Sequence, residues 1–209
     1  MLVRLGRGET IAAVCAAAEF SRAEFDAWWR TECVTRVPSS AGTIPATGLR
    51  GEVRIVRDGR GVPHIDAANH RDLFFGFGFA VAQDRLFQLD FLRRKARGRL
   101  AEILCAEGVE SDILYRTVGV GRIAAAEWEM FPADGREFVA AYSDGINAVI
   151  EQNRGRWPIE FDLLDYEPEP WSPVDCLAII GEFRWYLTGR FPVIAVPELV
   201  KRSLGDGPL

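Results

Sequence analysis

The chain has 209 residues and a formal net charge of −5, with 48% hydrophobic and 26% charged residues. These values are ordinary for a globular protein, and the length allows one large domain or two small ones with a substantial core. The acidic balance disfavours a general surface for nucleic acid or anionic lipid, because such surfaces depend on clustered positive charge. We therefore expect no nucleic acid as a partner.

The cysteines and histidines do not form a recognisable site. No two of the four cysteines stand in a CxxC pair, so neither a zinc knuckle nor a thiol redox motif is indicated. His64 and His70 are six residues apart, which does not match a metal-binding pair on one helix. No run of eighteen apolar residues occurs, and we expect no membrane partner.

Residues 1–48 are expected to form a helical extension and a linker. Ser21 followed by Glu24 is a capping-box pattern, which predicts the start of a helix. The stretch 37–48 is rich in Pro, Gly, Ser and Thr and is the expected linker. An earlier helix is predicted by apolar residues that share one face, which are Ala12, Val14, Cys15 and Ala18.

The first twenty residues partly match a secretion signal, because Arg4 and Arg7 precede an apolar run at 11–18. However, Glu9 stands before the run and Glu19 directly after it, and the run is short for such a signal. An amphipathic helix is the favoured interpretation. We accordingly expect this segment to be retained and the protein to be cytoplasmic.

Two functions are open for the predicted helix pair of the extension. It has the outline of a helix-turn-helix DNA reader, or it docks on the rest of the chain and buries Trp28 and Trp29. Acidic side chains balance the basic ones in and after the second helix, so no net positive charge is left to meet phosphates, and docking is favoured. A non-catalytic binding or DNA-associated regulatory protein that uses this pair is the alternative function.

The segment after the linker predicts a β-hairpin followed by helices. Apolar and charged residues are interspersed at 53–56, the strand returns at 62–65, and Asp58–Gly61 favours a turn between them. Helical spacing then predicts a long helical region from about Asp72 to Glu107. Three further helices are expected at 121–129, 134–153 and 174–187, the last capped by Ser172 after an extended segment at 165–173.

Basic residues cluster on the predicted long helix. Such a run is usually a solvated face, but arginine also pairs with carboxylates of a partner chain. The sequence leaves both alternatives open for Arg85, Arg93, Arg94, Lys95, Arg97 and Arg99.

The chain alone shows no catalytic constellation. No serine lies in a GxSxG turn, and neither histidine has a nearby serine or cysteine that would make a nucleophile–base pair. The glycine pairs Gly76/Gly78 and Gly119/Gly121 lack the third glycine of a dinucleotide-binding motif. Chemistry is therefore either absent or shared with another chain.

Three ordered blocks carry a family resemblance. They are RDGRGVPH within 56–67, FGFGFAVAQDRLFQ within 72–90, and GRLAE at the end of 94–102. Their order and spacing resemble the opening of the penicillin acylase family of N-terminal-nucleophile hydrolases. Two later segments, at 142–147 and 168–175, agree with it.

The resemblance covers residues 49–209 and implies an α+β, four-layer αββα fold, of which this chain is the mostly helical α subunit. Such enzymes cut themselves from one precursor into a small α chain and a large β chain. The nucleophile is the first residue of the β chain, usually Ser, and its own α-amine is the base. The resemblance thus implies no catalytic residue in this chain, no cofactor for the chemistry, a β-chain partner from the same precursor, and a small N-acyl amide as substrate.

The same resemblance places the substrate pocket near the end of the chain. Arg190 and Phe191 look like an Arg-Phe pair of penicillin G acylases, and Leu187 takes the place of an apolar pocket residue. Trp185 and Tyr186 either join the pocket or fill the core. An apolar acyl group is the favoured substrate feature, and the alternative is an acyl group with a carboxylate that meets Arg184 or Arg190.

Four further residues are assigned roles beside this pocket. Gly189 and Pro192 are expected to break the helix and expose the pocket side chains. Glu198 is the nearest match, offset by about one residue, to a Glu that binds a structural calcium ion in the family, and a surface Glu is the competing interpretation. His64 is expected to be packed and hydrogen-bonded rather than catalytic.

Overall fold

The computed structural model describes residues 1–188 and 190–204, and the side chains of residues 190, 191 and 204 also lie outside its described part. This part of the chain is mostly helical. In chain order it contains α1 (Leu2–Gly6), α2 (Ile11–Ala18), α3 (Arg22–Thr35), β1 (Val53–Arg57), β2 (Pro63–Ala67), α4 (His70–Arg97), α5 (Ala101–Leu104), α6 (Ala106–Val118), α7 (Val120–Met130), α8 (Ala133–Gln152), α9 (Ile159–Leu163), α10 (Pro173–Leu187) and α11 (Arg190–Leu204). None of the helices described here is both long and apolar enough to cross a bilayer.

Helix α4 is the centre of the fold, and it packs along α8 and beside the hairpin, α6 and α10. The α4–α8 contact requires glycine. A Cβ atom on Gly78 would lie 2.0 Å from the carbonyl oxygen of Tyr142, and one on Gly145 would lie 2.1 Å from that of Phe75. These two glycines therefore allow the backbones of α4 and α8 to lie in direct contact.

The main hydrophobic core lies around this helix pair. Phe75, Phe79 and Leu86 of α4 pack with Ile146 and Val149 of α8. Side chains that follow α8 close the other side of the same core, and these are Trp157, Phe161 and Trp171. Aromatic rings of this size contribute most of the apolar area that a core removes from water.

The predicted hairpin is present, with Ile55 paired to Ile65 in an antiparallel register. Alternate residues of each strand face α4, because successive strand side chains point to opposite sides. His64 falls on the outer face, where its side chain is 66% exposed and lies 3.5 Å from Asp58. The expectation that His64 is packed was therefore wrong.

The predicted long helical region is present, but it is divided into separate helices, of which α4 is the first. It begins two residues early, because the Asn69 side chain caps it by accepting a hydrogen bond from the backbone N–H of Asp72 (3.0 Å). It ends at Arg97, because Gly98 adopts the left-handed backbone that stops a helix (φ +66°). Residues 101–118 form two separate helices instead. The three later helices agree with their predicted bounds to within a residue or two.

The N-terminal extension contacts the main body of the chain. Arg36 donates a hydrogen bond to Asp162 of α9 (2.6 Å), and a Cβ atom on Gly6 would collide with the backbone of Leu163. The extension thus contacts the main body through α1 and through Arg36, which follows α3. The predicted burial of Trp28 and Trp29 is incomplete, because both are only half-buried, beside the small cluster of Val14, Cys15 and Phe25. The capping box of Ser21 and Glu24 is present as predicted.

The basic residues of α4 do not form a solvated face. Those at the centre of the cluster are also not available to a partner chain. Arg93 and Arg94 are each 4% exposed and both bind the buried carboxylate of Asp90, with Nε–O distances of 2.8 and 2.9 Å. Tyr166 donates a further hydrogen bond to the same carboxylate (2.9 Å). Arg97 binds buried Asp175 of α10 (2.7 Å). The arginines therefore join α4 to the extended segment and to α10.

Gly78→Ala is expected to lower the free energy of unfolding by about 1–3 kcal/mol, because the added methyl group meets backbone that cannot move aside. The measurement is urea denaturation followed by circular dichroism. Gly59→Ala is the matched control. No heavy atom lies within 4 Å of the corresponding Cβ position, so a change within about 0.5 kcal/mol is expected there. Equal stability of the two variants would show that α4 and α8 are not in backbone contact.

The environment of Glu169 predicts that the folded state loses stability at acid pH. Hydrogen bonds from Arg99 lower the pKa of Glu169 from 4.5 to about 2. A lowered pKa stabilises the folded state above the unfolded value, and this stability is lost as the pH falls from about 4.5 to about 2. Glu169→Gln should therefore flatten the decline of unfolding free energy over that range. Glu151→Gln, which removes an exposed surface pair with Arg154, should change it less. An unchanged slope in Glu169→Gln would contradict the Arg99–Glu169 contact.

Candidate substrate-binding surface at the end of α10

Helix α10 is fixed at its start. Ser172 and Asp175 form a capping box, Pro173 occupies the first turn, and the Asp175 carboxylate accepts hydrogen bonds from Ser172 (2.8 Å) and Arg97 (2.7 Å). Proline is tolerated there because the first N–H groups of a helix have no partner within it. Leu177 and Ala178 are then buried against α7.

A cleft of 280 Å³ lies between α7 and the second half of α10. Its apolar walls include Val120, Ala124, Leu177 and Trp185, and the ion pair between Arg184 and Glu127 (3.2 Å) lies among its lining residues. The indole Nε1 of Trp185 is buried and has no hydrogen-bond acceptor among the described residues. A buried N–H without an acceptor costs free energy, so this position favours a ligand or partner atom that accepts a hydrogen bond.

Tyr186 and Leu187 lie away from this cleft, on the exposed part of the last helical turn. Their exposed fractions are 52% and 74%. The apolar surface continues along α10, since Ile180 and Phe183 are also exposed. The structure therefore places Trp185 in a cleft of this chain and leaves Tyr186 and Leu187 on an open surface.

The expected helix break is present between Leu187 and Arg190, but Pro192 is not part of it. Helix α10 ends at Leu187 and α11 begins at Arg190, with Gly189 outside the described residues. Pro192 lies in the first turn of α11, where proline does not interrupt the helix, so it is not a breaker. The side chains of Arg190 and Phe191 lie outside the described part of the chain.

Glu182 is a buried charge that the sequence analysis did not identify. Its Oε1 accepts hydrogen bonds from Lys95 Nζ of α4 and from the Tyr115 hydroxyl of α6, both at 2.8 Å. The sequence signal was a single acid in the otherwise apolar run from Leu177 to Phe183. Buried carboxylates of this kind need such partners, and the pattern alone did not show which residues supply them.

Glu198 pairs with Arg202 of the same helix, with an Nε–Oε1 distance of 2.9 Å. Within the described residues, no group of three or more Asp, Glu, His or Cys side chains is arranged to hold a metal ion. Calcium takes six to eight oxygen ligands. These residues do not make a calcium site by themselves, and no step of the chemistry below passes through a metal.

Comparison with known proteins identifies the family. The family model described as penicillin amidase matches residues 52–206, from the hairpin through α11. The chain belongs to the penicillin amidase family. The matched range contains every residue assigned to the pocket from its likeness to the family.

The relatives of this penicillin amidase family chain are named as acylases, in agreement with the family match. It is 37% identical over 180 residues to penicillin acylase 2 proenzyme of Pseudomonas sp. strain SE83, covering 82% of this chain and 23% of that protein. It is 32% identical to the acyl-homoserine lactone acylase QuiP of Pseudomonas aeruginosa (74% and 18% covered) and 34% identical to penicillin G acylase of Escherichia coli (70% and 18% covered). The chain thus spans less than a quarter of the length of these relatives.

A solved structure gives the same result for the fold. The thermostable penicillin G acylase from Alcaligenes faecalis superposes with a TM-score of 0.63 at 32% sequence identity. The match covers 74% of this chain and 85% of that chain. The helical arrangement described above is therefore shared with an acylase of the penicillin amidase family.

Proposed function

We propose that this chain is the α subunit of a self-processing heterodimeric amide hydrolase that cleaves a linear N-acyl amide. The observation that carries the proposal is the family match across 52–206, together with relatives named as acylases. One of these relatives is named a proenzyme, which supports processing of a precursor.

The proposed chemistry uses a serine at the first position of a β chain. Its hydroxyl oxygen attacks the amide carbonyl while the free α-amine takes the hydroxyl proton. The C–N bond then breaks, the amine leaves with that proton, and water hydrolyses the resulting acyl ester. Donors for the developing oxyanion belong to the β chain in this proposal. The present chain binds and orients the acyl group.

The exposed apolar surface of this chain supports a protein partner. Ile180, Phe183 and Leu187 of α10 and Val193 and Ile194 of α11 are all exposed. Contiguous apolar surface of this kind marks an interaction site more often than a solvated face. We assign this surface to the β chain and the substrate together.

The hairpin supports the four-layer αββα architecture. Among the described residues, β1 and β2 pair only with each other. Strands with open edges accept a further strand through their unpaired backbone groups. In the proposed architecture the sheet of the β chain extends this hairpin, while α4 and α8 form a helical layer on one side.

An apolar acyl group is the proposed substrate feature. Trp185, Tyr186, Leu187 and Phe191 are aromatic or aliphatic, and such side chains line small-molecule pockets with few polar groups among them. Arg184 pairs with Glu127 in the described structure, which leaves Arg190 as the residue proposed to meet a polar end of the substrate. Penicillins and N-acyl-homoserine lactones are the two substrate classes that the names of the relatives suggest.

The function is tested by expressing this chain with the codons that follow it and purifying it through a tag on its N-terminus. We expect a second chain to co-purify, with Ser as its first residue, and the complex to release amine from penicillin G or from an N-acyl-homoserine lactone. Replacement of that Ser by Ala should leave an uncut, inactive precursor. A single uncut polypeptide without amide hydrolase activity would contradict the proposal.

Phe191→Ala is expected to lower kcat/KM for an apolar acyl substrate by about 10-fold, or about 1.4 kcal/mol, because the acyl group loses apolar contact. Processing into two chains is the internal control and should be unaffected, since that chemistry belongs to the β terminus. Failure of processing would instead assign Phe191 to the core. Normal processing with normal kinetics would show that the match of Arg190 and Phe191 to the family pair is wrong.

A further inference from the structure

Glu182 is the last buried residue of α10. It is 4% exposed, whereas Phe183, Tyr186 and Leu187 are exposed and Trp185 is only half-buried. In the final turn of α10, Trp185 thus still packs against the α7 cluster, while Phe183, Tyr186 and Leu187 are exposed. Leu187 lies five residues after Glu182, or about 7.5 Å farther along the axis.

The Glu182 carboxylate is held from two other helices at once. Lys95 of α4 and Tyr115 of α6 both donate to Oε1 at 2.8 Å, and the Lys95 ammonium lies 5.5 Å from the centre of the Tyr115 ring. Hydrogen bonds restrict direction as well as distance. Two of them from different helices fix both the rotation of α10 about its axis and its position along α4.

The lysine stays charged in this environment. Burial lowers the pKa of Lys95, but the hydrogen bond to Glu182, the charge of Glu182 and the contact with Tyr115 together exceed this effect, so the pKa is raised overall. A buried ion pair is weak evidence for stability, and its best-attested use is to specify one arrangement among several apolar ones. The residues of α10 around Glu182 are apolar or small, with Ala178, Ile179 and Gly181 as neighbours. The Arg97–Asp175 contact fixes the start of α10, and the bonds of Glu182 add a second polar attachment seven residues later.

We infer that Glu182 is a positioning residue, which sets the placement of the acyl-binding turn of α10 through its bonds to Lys95 and Tyr115. This inference rests on the proposed function for its effect on catalysis, but the placement itself concerns the free chain as well. Glu182 contacts neither substrate nor nucleophile in this account. It acts through Trp185, Tyr186 and Leu187.

The test compares three variants with the wild-type complex, produced together with the codons that follow. Glu182→Leu removes both hydrogen bonds, and Tyr115→Phe removes one of them while keeping the ring. Asp112→Asn is the control, because Asp112 is a buried carboxylate of α6 whose hydrogen bonds, from the backbone of Leu100 (2.7 Å) and Ala101 (2.9 Å), are local to the α4–α6 connection.

The first readout is the acyl preference, measured as kcat/KM over N-acyl p-nitroanilides with butanoyl, octanoyl and phenylacetyl groups. A displaced binding turn changes how well each acyl group fits. Glu182→Leu should therefore raise KM for the preferred acyl group by about 5-fold or more and alter the ratio between acyl groups, with kcat per active site changed less. Tyr115→Phe should also raise KM for the preferred acyl group and alter the ratio between acyl groups in the same direction, but by a smaller factor. Asp112→Asn should lower only the yield of active enzyme and leave the preference unchanged.

The second readout is amide hydrogen exchange across residues 183–188, which does not depend on activity. Glu182→Leu should accelerate exchange there relative to wild type and to Asp112→Asn. If Glu182→Leu does not fold, the acyl preference and the hydrogen exchange of Tyr115→Phe test the inference instead. Unchanged exchange with unchanged acyl preference would overturn the inference, and so would equal changes in Asp112→Asn. A wild-type complex that hydrolyses no amide would refute the proposed function, while the exchange data would still decide the placement.

Discussion

The carboxylate of Asp90 is buried between the guanidinium groups of Arg93 and Arg94, and much of the fold around it follows from that contact. A buried carboxylate must be fully paired, because an unpaired one costs several kcal/mol. Arg93 also donates to the backbone oxygens of Glu169 and Pro170 in the extended segment. Tyr166 completes the Asp90 shell, and Asp175 lies close by at the start of α10. The polar interior thus determines where α10 begins, and the cleft and exposed surface at its other end follow from that origin.

The glycine contacts between α4 and α8 have a different role. The glycines set the distance between the backbones of α4 and α8, whereas the ion pairs set the relative orientation of the elements that they join. Gly78 and Gly145 allow the two backbones to touch, and this brings Phe75 and Ile146 into one continuous core. Apolar packing tolerates many side-chain arrangements of similar volume. The combination of a fixed backbone distance with buried, directional charge pairs leaves a single arrangement for the elements that reach the candidate substrate surface.

The local features of this fold could be predicted from the sequence, and the distant ones could not. The hairpin and the capped helices depend on neighbours within a few residues, such as Ser21 with Glu24. Gly98 ends α4 within an arginine-rich stretch, where one glycine was not recognised as a stop. The partners of Arg93 include the backbone of Glu169, 76 residues away, and periodicity does not show such pairs. Trp185 and Leu187 differ in environment only because α7 packs on one side of α10, and nothing within α10 itself indicates that side.

The two-stranded hairpin has a consequence for the order of assembly. Two strands alone are marginally stable, and their open edges are templates for pairing with any other chain. If the partner sheet is encoded on the same polypeptide, the linkage keeps it at an effective concentration near millimolar, above that of other copies of the chain. The hairpin is then captured within its own molecule before it meets another. If the linkage is cut after this pairing, the hairpin does not dissociate from the partner sheet, because their noncovalent interface holds the two chains together.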